Sequence, residues 1–265
     1  MGNMEGVLSL RDTTVDYMAF GKGQRPLILI QGLTFREFKG SVLLVSHMYR
    51  IFSRDYRVYL FDRIRDLPED YTVEQMAGDL AACMDQLGLS QADVVGVSQG
   101  GMIGQYLALD RPDLVRKLVL AVTTSRSNEL IQTAIEKWTA FARADDYQSL
   151  VMDMLDRCYS ENYQKKFRRV FPILLKTVNL LPAERFANMA KACLTCGTYE
   201  RLEEITCPVF IIGGEKDLVV GPQASREMAE KLNCGIYMYE EYGHSAYEEA
   251  KDFNQRVYDF LGGIV

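Results

Sequence analysis

Histidine is scarce in this chain. Only two histidines, His47 and His244, occur among 265 residues. Any chemistry that needs an imidazole base therefore has two candidates. Positive charge is not in excess either: 30 Lys and Arg face 36 Asp and Glu, a net charge of −6. Without a basic stripe, nucleic acid is not an expected partner. No apolar run is long enough to cross a membrane as a helix. No signal peptide opens the sequence, so the expected location is the cytoplasm. Met1-Gly2 begins like a myristoylation signal, but Gly6 stands where Ser or Thr is required. The cysteines (Cys83, Cys158, Cys193, Cys196, Cys207 and Cys234) are too scattered for the disulfide framework of a small secreted domain. Cys193 and Cys196 form one C-x-x-C with no second pair and no nearby histidine. No metal site is expected, and both should be small buried residues on a helix face. Repeats and low-complexity segments are also missing.

What is present reads as a folded α/β chain. Hydrophobic residues make up 48% of the sequence, enough for a sizeable core. The length suits one large domain with an insertion, or two small ones. The chain is organised around Val94-Val95-Gly96-Val97-Ser98-Gln99-Gly100-Gly101. An apolar β run ends in G-x-S-x-G, and a helical pattern follows at once. Strand, tight turn and helix are the context in which this motif is a nucleophile elbow. Ser98 must sit on a sharp, strained turn so that its hydroxyl stands clear of the sheet. Gly96 and Gly100 must be small because they crowd each other there. The helix points its N-terminus at the site, where free N–H groups favour a developing oxyanion.

The rest of the chain supplies a frame for that turn. Residues 7–20 read as two strands around Asp12-Thr13, and Leu27-Ile28-Leu29-Ile30 as a strand buried on both faces. A helix is expected over 41–52 and a strand over 56–61. Thr72 and Gln75 form a capping-box pattern before a helix to about Leu87. Residues 117–122 give another buried strand. This alternation predicts a mostly parallel sheet with helices on both faces. Strand signals then vanish over 125–204, where helices are expected at 129–143, 147–158, 161–175 and 183–193. They form an insertion over the strand ends and must roof a pocket. The rhythm resumes with strands at 207–212 and 236–239, a helix at 222–232 and a C-terminal helix to about Leu261.

A nucleophilic serine needs a base, and the base needs an orienting group. His244 directly follows a predicted strand, whereas His47 falls in the first predicted helix as a surface residue. In a parallel sheet, functional groups gather at the C-terminal strand ends. Ser98, Asp217 and His244 all lie there, in the chain order Ser, Asp, His. Glu215 is the neighbouring alternative acid, read as structural or solvated. The other loop able to supply an acid reads Thr123-Thr124-Ser125 and contains none. Two N–H donors complete the expected set: Gln99, after the nucleophile, and Leu33, in the Gln31-Gly32-Leu33 loop. Gly32 lets that backbone approach the substrate.

The elbow, the segment Gly213-Gly214-Glu215-Lys216-Asp217, the pair Gly243-His244 and the run Arg111-Pro112-Asp113-Leu114-Val115 together resemble the cap-bearing α/β-hydrolase fold family. The resemblance spans essentially the whole chain. It implies a mostly parallel eight-stranded sheet flanked by helices, with a core at 1–124 and 205–265 and a helical cap at 125–204 inserted after the sixth strand. There are two departures. Gln31-Gly32 replaces the usual His-Gly, and Asp62-Arg63-Ile64-Arg65-Asp66-Leu67 replaces a Gly-rich segment. Serine at the elbow separates the chain from the dehalogenase and epoxide-hydrolase branches. The resemblance implies hydrolysis of a small or medium carboxylic ester through an acyl-enzyme on Ser98, with no cofactor and no metal. The partner is then a small, partly apolar substrate. Trp138, Phe141, Met152, Met154, Phe171 and Met189 are candidate lining residues, and Arg168, Arg169 and Arg185 could meet a carboxylated substrate or be solvated surface. The same residues also suit carbon–carbon bond hydrolysis, thioester or elimination chemistry, or a ligand-sensing role with residual turnover. Oligomeric state is not legible.

Overall fold

The computed structural model describes residues 3–263, so the Met1-Gly2 pair lies outside the described residues. The chain opens with strands β1 (Met4–Leu10), β2 (Thr13–Phe20) and β3 (Arg25–Ile30), then helix α1 (Val42–Met48) and a short 3₁₀ turn at Arg50–Phe52. Next come β4 (Tyr56–Phe61), α2 (Val73–Gln86), β5 (Ala92–Val97), α3 (Gln99–Asp110) and β6 (Val115–Ala121). Five helices follow: α4 (Glu129–Arg143), α5 (Tyr147–Cys158), α6 (Glu161–Phe167), α7 (Phe171–Leu175) and α8 (Ala183–Ala192). Two 3₁₀ turns, Cys193–Thr195 and Tyr199–Glu204, lead to β7 (Val209–Gly214), α9 (Pro222–Leu232), β8 (Gly235–Tyr239), α10 (Ala246–Glu249) and α11 (Phe253–Gly262).

All eight strands join one sheet in the order β1-β2-β4-β3-β5-β6-β7-β8. Only β2 runs antiparallel to its neighbours β1 and β4; the pairings from β4 through β8 are parallel. Side chains alternate across a strand, and the sheet uses both faces. Ile28, Ile30, Val94, Leu118 and Leu120 face a core shared with α2, α3, α9 and the inserted helices. Leu27, Leu29, Val95, Val97, Val119 and Ala121 face a second core closed by α11. Burial on both sides explains why these strands read as continuous apolar runs.

Local signals set the helix ends. Thr72 caps α2 by accepting from Gln75 N at 3.2 Å, while Gln75 Oε1 accepts from Thr72 N at 2.8 Å, so the capping box is complete. Asn128 caps α4 through Ile131 N at 3.1 Å. Three expected helices differ from their outline: the span 41–52 is α1 followed by the 3₁₀ turn at Arg50–Phe52. The span 161–175 is broken into α6 and α7. Pro172 has no N–H to extend a helix, and its ring would meet the carbonyl of the residue four back, so α6 stops short of it. The C-terminal helix is likewise two pieces, α10 and α11, separated at Ala250, whose backbone is extended at φ −78° and ψ 115°.

Candidate active site

The β5–α3 turn holds Ser98 at φ +53° and ψ −120°. A non-glycine residue rarely adopts this conformation, and here the surroundings impose it. Ser98 N donates to Ala121 O at 2.9 Å, and Ser98 O accepts from Thr123 Oγ1 at 2.7 Å and from Gly101 N at 2.8 Å. The flanking glycines are needed sterically. A Cβ on Gly96 would lie 2.4 Å from Gly100 O, and one on Gly100 would lie 2.0 Å from Ile30 O. The crowding involves backbone atoms, so no rotamer could relieve it.

His244 follows β8, and Asp217 follows β7. His244 Nε2 lies 2.8 Å from Ser98 Oγ, and His244 Nδ1 lies 2.8 Å from Asp217 Oδ2. The other Asp217 oxygen accepts from Val219 N at 2.8 Å and Val220 N at 3.0 Å. Asp217 and His244 are buried, while Ser98 is partly exposed. Burial pushes the Asp217 carboxyl upward. The His244 ring and the two backbone N–H groups outweigh it and hold the group below its ordinary value. With the ring proton on Nδ1, the tautomer an ionised carboxylate partner favours, Nε2 can accept the Ser98 hydroxyl proton.

The loop after β3 completes the approach to Ser98. A Cβ on Gly32 would stand 3.2 Å from Ser98 Cβ and 3.7 Å from Ser98 Oγ, so this backbone passes directly beside the Ser98 side chain. Leu33 follows it. Gln99 opens α3, and its N–H, the first of the helix, lies ahead of the Gly101 and Met102 N–H groups that Ser98 O engages. The other candidates lie elsewhere. His47 is exposed on α1, with its Nε2 3.3 Å from Arg50 Nη1. Glu215 pairs with Arg226.

The inserted helices contact the site's frame from above. Ser245 N, next to His244, donates to Cys158 O at 2.8 Å. Gln99 Nε2 donates to Met189 O at 2.6 Å and to Cys193 Sγ at 3.2 Å. Cys193 and Cys196 are buried, but Cys193 sits in the 3₁₀ turn and Cys196 just past it, not on one helix face. Trp138 and Met189 are 3% and 2% exposed, which places them in the packing between helices. Trp138 Nε1 donates to Asp153 at 2.9 Å. Phe171 packs edge-on to Tyr159 and Tyr163. Arg168 pairs with Asp156 at the surface. Arg185 is not solvated surface: its side chain is 13% exposed. It donates to the carbonyls of Arg63, Ile64 and Arg65 and to Asp62 Oδ2 at 3.2 Å. It thus clamps the loop after β4, which lacks the family's glycines. Two features went unread in the sequence: Thr123 as the support of Ser98 O, and the buried Arg63–Gln99 contact. Both depend on partners far away in the chain.

A family model described as alpha/beta hydrolase fold matches residues 25–148. A putative carbamate hydrolase, RutD, of Caulobacter sp. (strain K31) is 32% identical over 231 residues, covering 82% of this chain and 84% of the relative. The 3-oxoadipate enol-lactonase 2 of Acinetobacter baylyi is 22% identical and is matched over 96% of both chains. Among solved structures, an enol-lactonase from Burkholderia xenovorans LB400 shares the fold with a TM-score of 0.83 at 23% identity, over 97% of this chain and 100% of that one. With the sheet order, the strand-turn-helix at Ser98 and these relatives together, the chain belongs to the α/β-hydrolase fold family and is a hydrolase.

Proposed function

We propose that the protein hydrolyses small or medium ester-like acyl substrates through an acyl-enzyme on Ser98. The observation that carries this reading is the unbroken line from Ser98 Oγ through His244 to Asp217, with both contacts at 2.8 Å. Ser98 Oγ attacks the carbonyl carbon while His244 Nε2 takes its proton. Asp217 orients the ring and stabilises its cationic form. The carbonyl oxygen becomes an oxyanion, received by the N–H groups of Gln99 and Leu33; one such donor is worth about 3–4 kcal/mol. The bond to the leaving group breaks, and that group takes the proton from His244. Water then attacks the acyl carbon, giving a proton to His244. Acid is released, and Ser98 regains its proton.

Residues 125–204 serve in this reading as a cap over the site, with the remainder as the hydrolase core. The contacts of Met189, Cys193 and Cys158 with Gln99 and Ser245 support that role. The names of the relatives extend the substrate panel: a carbamate and an enol-lactone both present an acyl carbonyl to a nucleophile. The test is hydrolysis of p-nitrophenyl esters from acetate to decanoate, with a carbamate and an enol-lactone alongside. Wild type should turn over at least one of them, and Ser98→Ala should abolish that turnover with the fold intact. Undiminished turnover in the variant would overturn the assignment.

A further inference from the structure

Arg63, the second residue after β4, is 8% exposed. Its Nη2 donates to Gln31 O at 2.8 Å and to Gln99 Oε1 at 3.3 Å. It therefore bridges the two segments that carry the proposed oxyanion donors. Gln31 begins the Gly32-Leu33 loop, and Gln99 follows the nucleophile. The Gln99 amide is held in turn from the other side by Met189 O and Cys193 Sγ.

The charge on Arg63 is unusual in its company. Buried cations are normally paired, because an unpaired one costs several kcal/mol, on the order of a lost solvation shell. Among the described residues, no carboxylate forms an ion pair with Arg63. Its neighbour Asp62 is engaged by Arg185 Nη2 at 3.2 Å and by the Arg63 backbone N–H at 2.8 Å. The side-chain acceptors of Arg63 are a carbonyl and an amide, both uncharged. Its Nε is buried with no hydrogen-bond partner. Burial draws the guanidinium down to about 10, so it stays cationic at neutral pH. A fixed positive charge in a low-dielectric site is poised to stabilise negative charge that develops nearby during reaction.

We infer that Arg63 is a positioning residue of the oxyanion site: it ties the Gln31-Gly32-Leu33 loop to the Gln99 side chain and sets at that junction a positive charge that forms no ion pair, with Asp62 acting on it only through space. The inference rests on the acyl-transfer reading of Ser98. It also accounts for the departure from a Gly-rich segment after β4. A cation at this point needs a loop held in place, and Arg185 holds it.

The test compares Arg63→Met and Arg63→Lys with wild type on an ester that the wild type hydrolyses. A trifluoromethyl ketone, which forms a tetrahedral oxyanion on the serine, serves as the probe. Arg63→Met should lower kcat about 100-fold with KM moved by less than about threefold, and should weaken the ketone by a factor similar to the kcat loss. Arg63→Lys, which keeps the charge, should recover about tenfold of the loss. A merely structural role would weaken substrate and ketone equally and would gain nothing from lysine; that pattern overturns the inference. If Arg63→Met does not fold, Arg63→Lys decides against wild type: kcat and ketone affinity falling together at constant KM supports the inference, and unchanged constants overturn it. Ser98→Ala run alongside separates the two readings. Undiminished turnover there defeats the acyl-transfer reading itself. Complete loss there, with Arg63→Met at wild-type rate, defeats only the role of Arg63.

Discussion

Asp217 shows how much one side chain carries. One oxygen is saturated by Val219 and Val220 N–H, and only the other faces His244. Asp217→Asn can keep the first oxygen in place, but it then offers an NH₂ to the ring and favours the wrong tautomer. A loss of about 10⁴ in kcat is expected, with little change in the thermal midpoint. Steady-state kinetics and a melt on the same sample check this; a loss under about tenfold would remove Asp217 from its role. Asp217 could be picked out in the sequence because the competing loop, Thr123-Thr124-Ser125, has no acid and because chain order favoured an acid before His244. His244 stood out because one rival existed, and that rival lay in a helix. Arg63 was not legible. Its partners Gln31 and Gln99 lie 32 and 36 residues away, and a buried arginine cannot be told from a solvated one by composition.

Among the elements, α4 and α5 are joined through one charged side chain. Asp153 on α5 binds Lys137 and Trp138 of α4 and, at 2.8 Å, Arg157 on its own helix. Burial pushes the Asp153 carboxyl upward, and these three donors outweigh it, so it is held below its ordinary value. A carboxyl depressed in the folded state contributes stability that is complete above its unfolded value of about 3.9 and is lost as pH falls through the lower folded value. Asp153→Asn should cost about 1–3 kcal/mol at neutral pH. It should also show a shallower fall in melting temperature than wild type as pH drops from neutral toward 3. Parallel curves for the two proteins would show that the carboxylate has no such part. The extents of α4 and α5 were readable because caps and apolar spacing agree there. The break between α6 and α7 did not follow from the apolar pattern, which runs on past Pro172; the proline marks it by its missing N–H and not by any change in hydrophobic spacing.

Across the molecule, the inserted helices and the His244 loop are fastened together. Besides the Ser245–Cys158 backbone contact, Ser160 N donates to Glu249 Oε1 at 2.9 Å and Ser160 Oγ donates to Glu249 Oε2 at 2.5 Å. Tyr159 OH donates to Glu248 Oε2 at 2.5 Å. A shift of the helices is therefore transmitted to the histidine. Glu249→Ala should lower kcat on the order of tenfold by loosening that geometry. Glu249→Gln, which can still accept from Ser160 N, should restore most of it. Equal rates in all three proteins would show that the fastening does not reach the site. The sheet itself was legible from apolar runs and their alternation with helices. This long-range fastening was not, since it joins residues 89 apart through polar side chains with no sequence pattern.

The proposed mechanism requires Ser98 as the nucleophile, and covalent labelling reads that most directly. The protein is treated with a fluorophosphonate, and intact mass, peptide mapping and ester turnover are followed together. A nucleophilic Ser98 gives a single label on its own peptide, loss of turnover in step with labelling, and no label on Ser98→Ala. Turnover that survives full labelling, or a label that persists in Ser98→Ala, would contradict it.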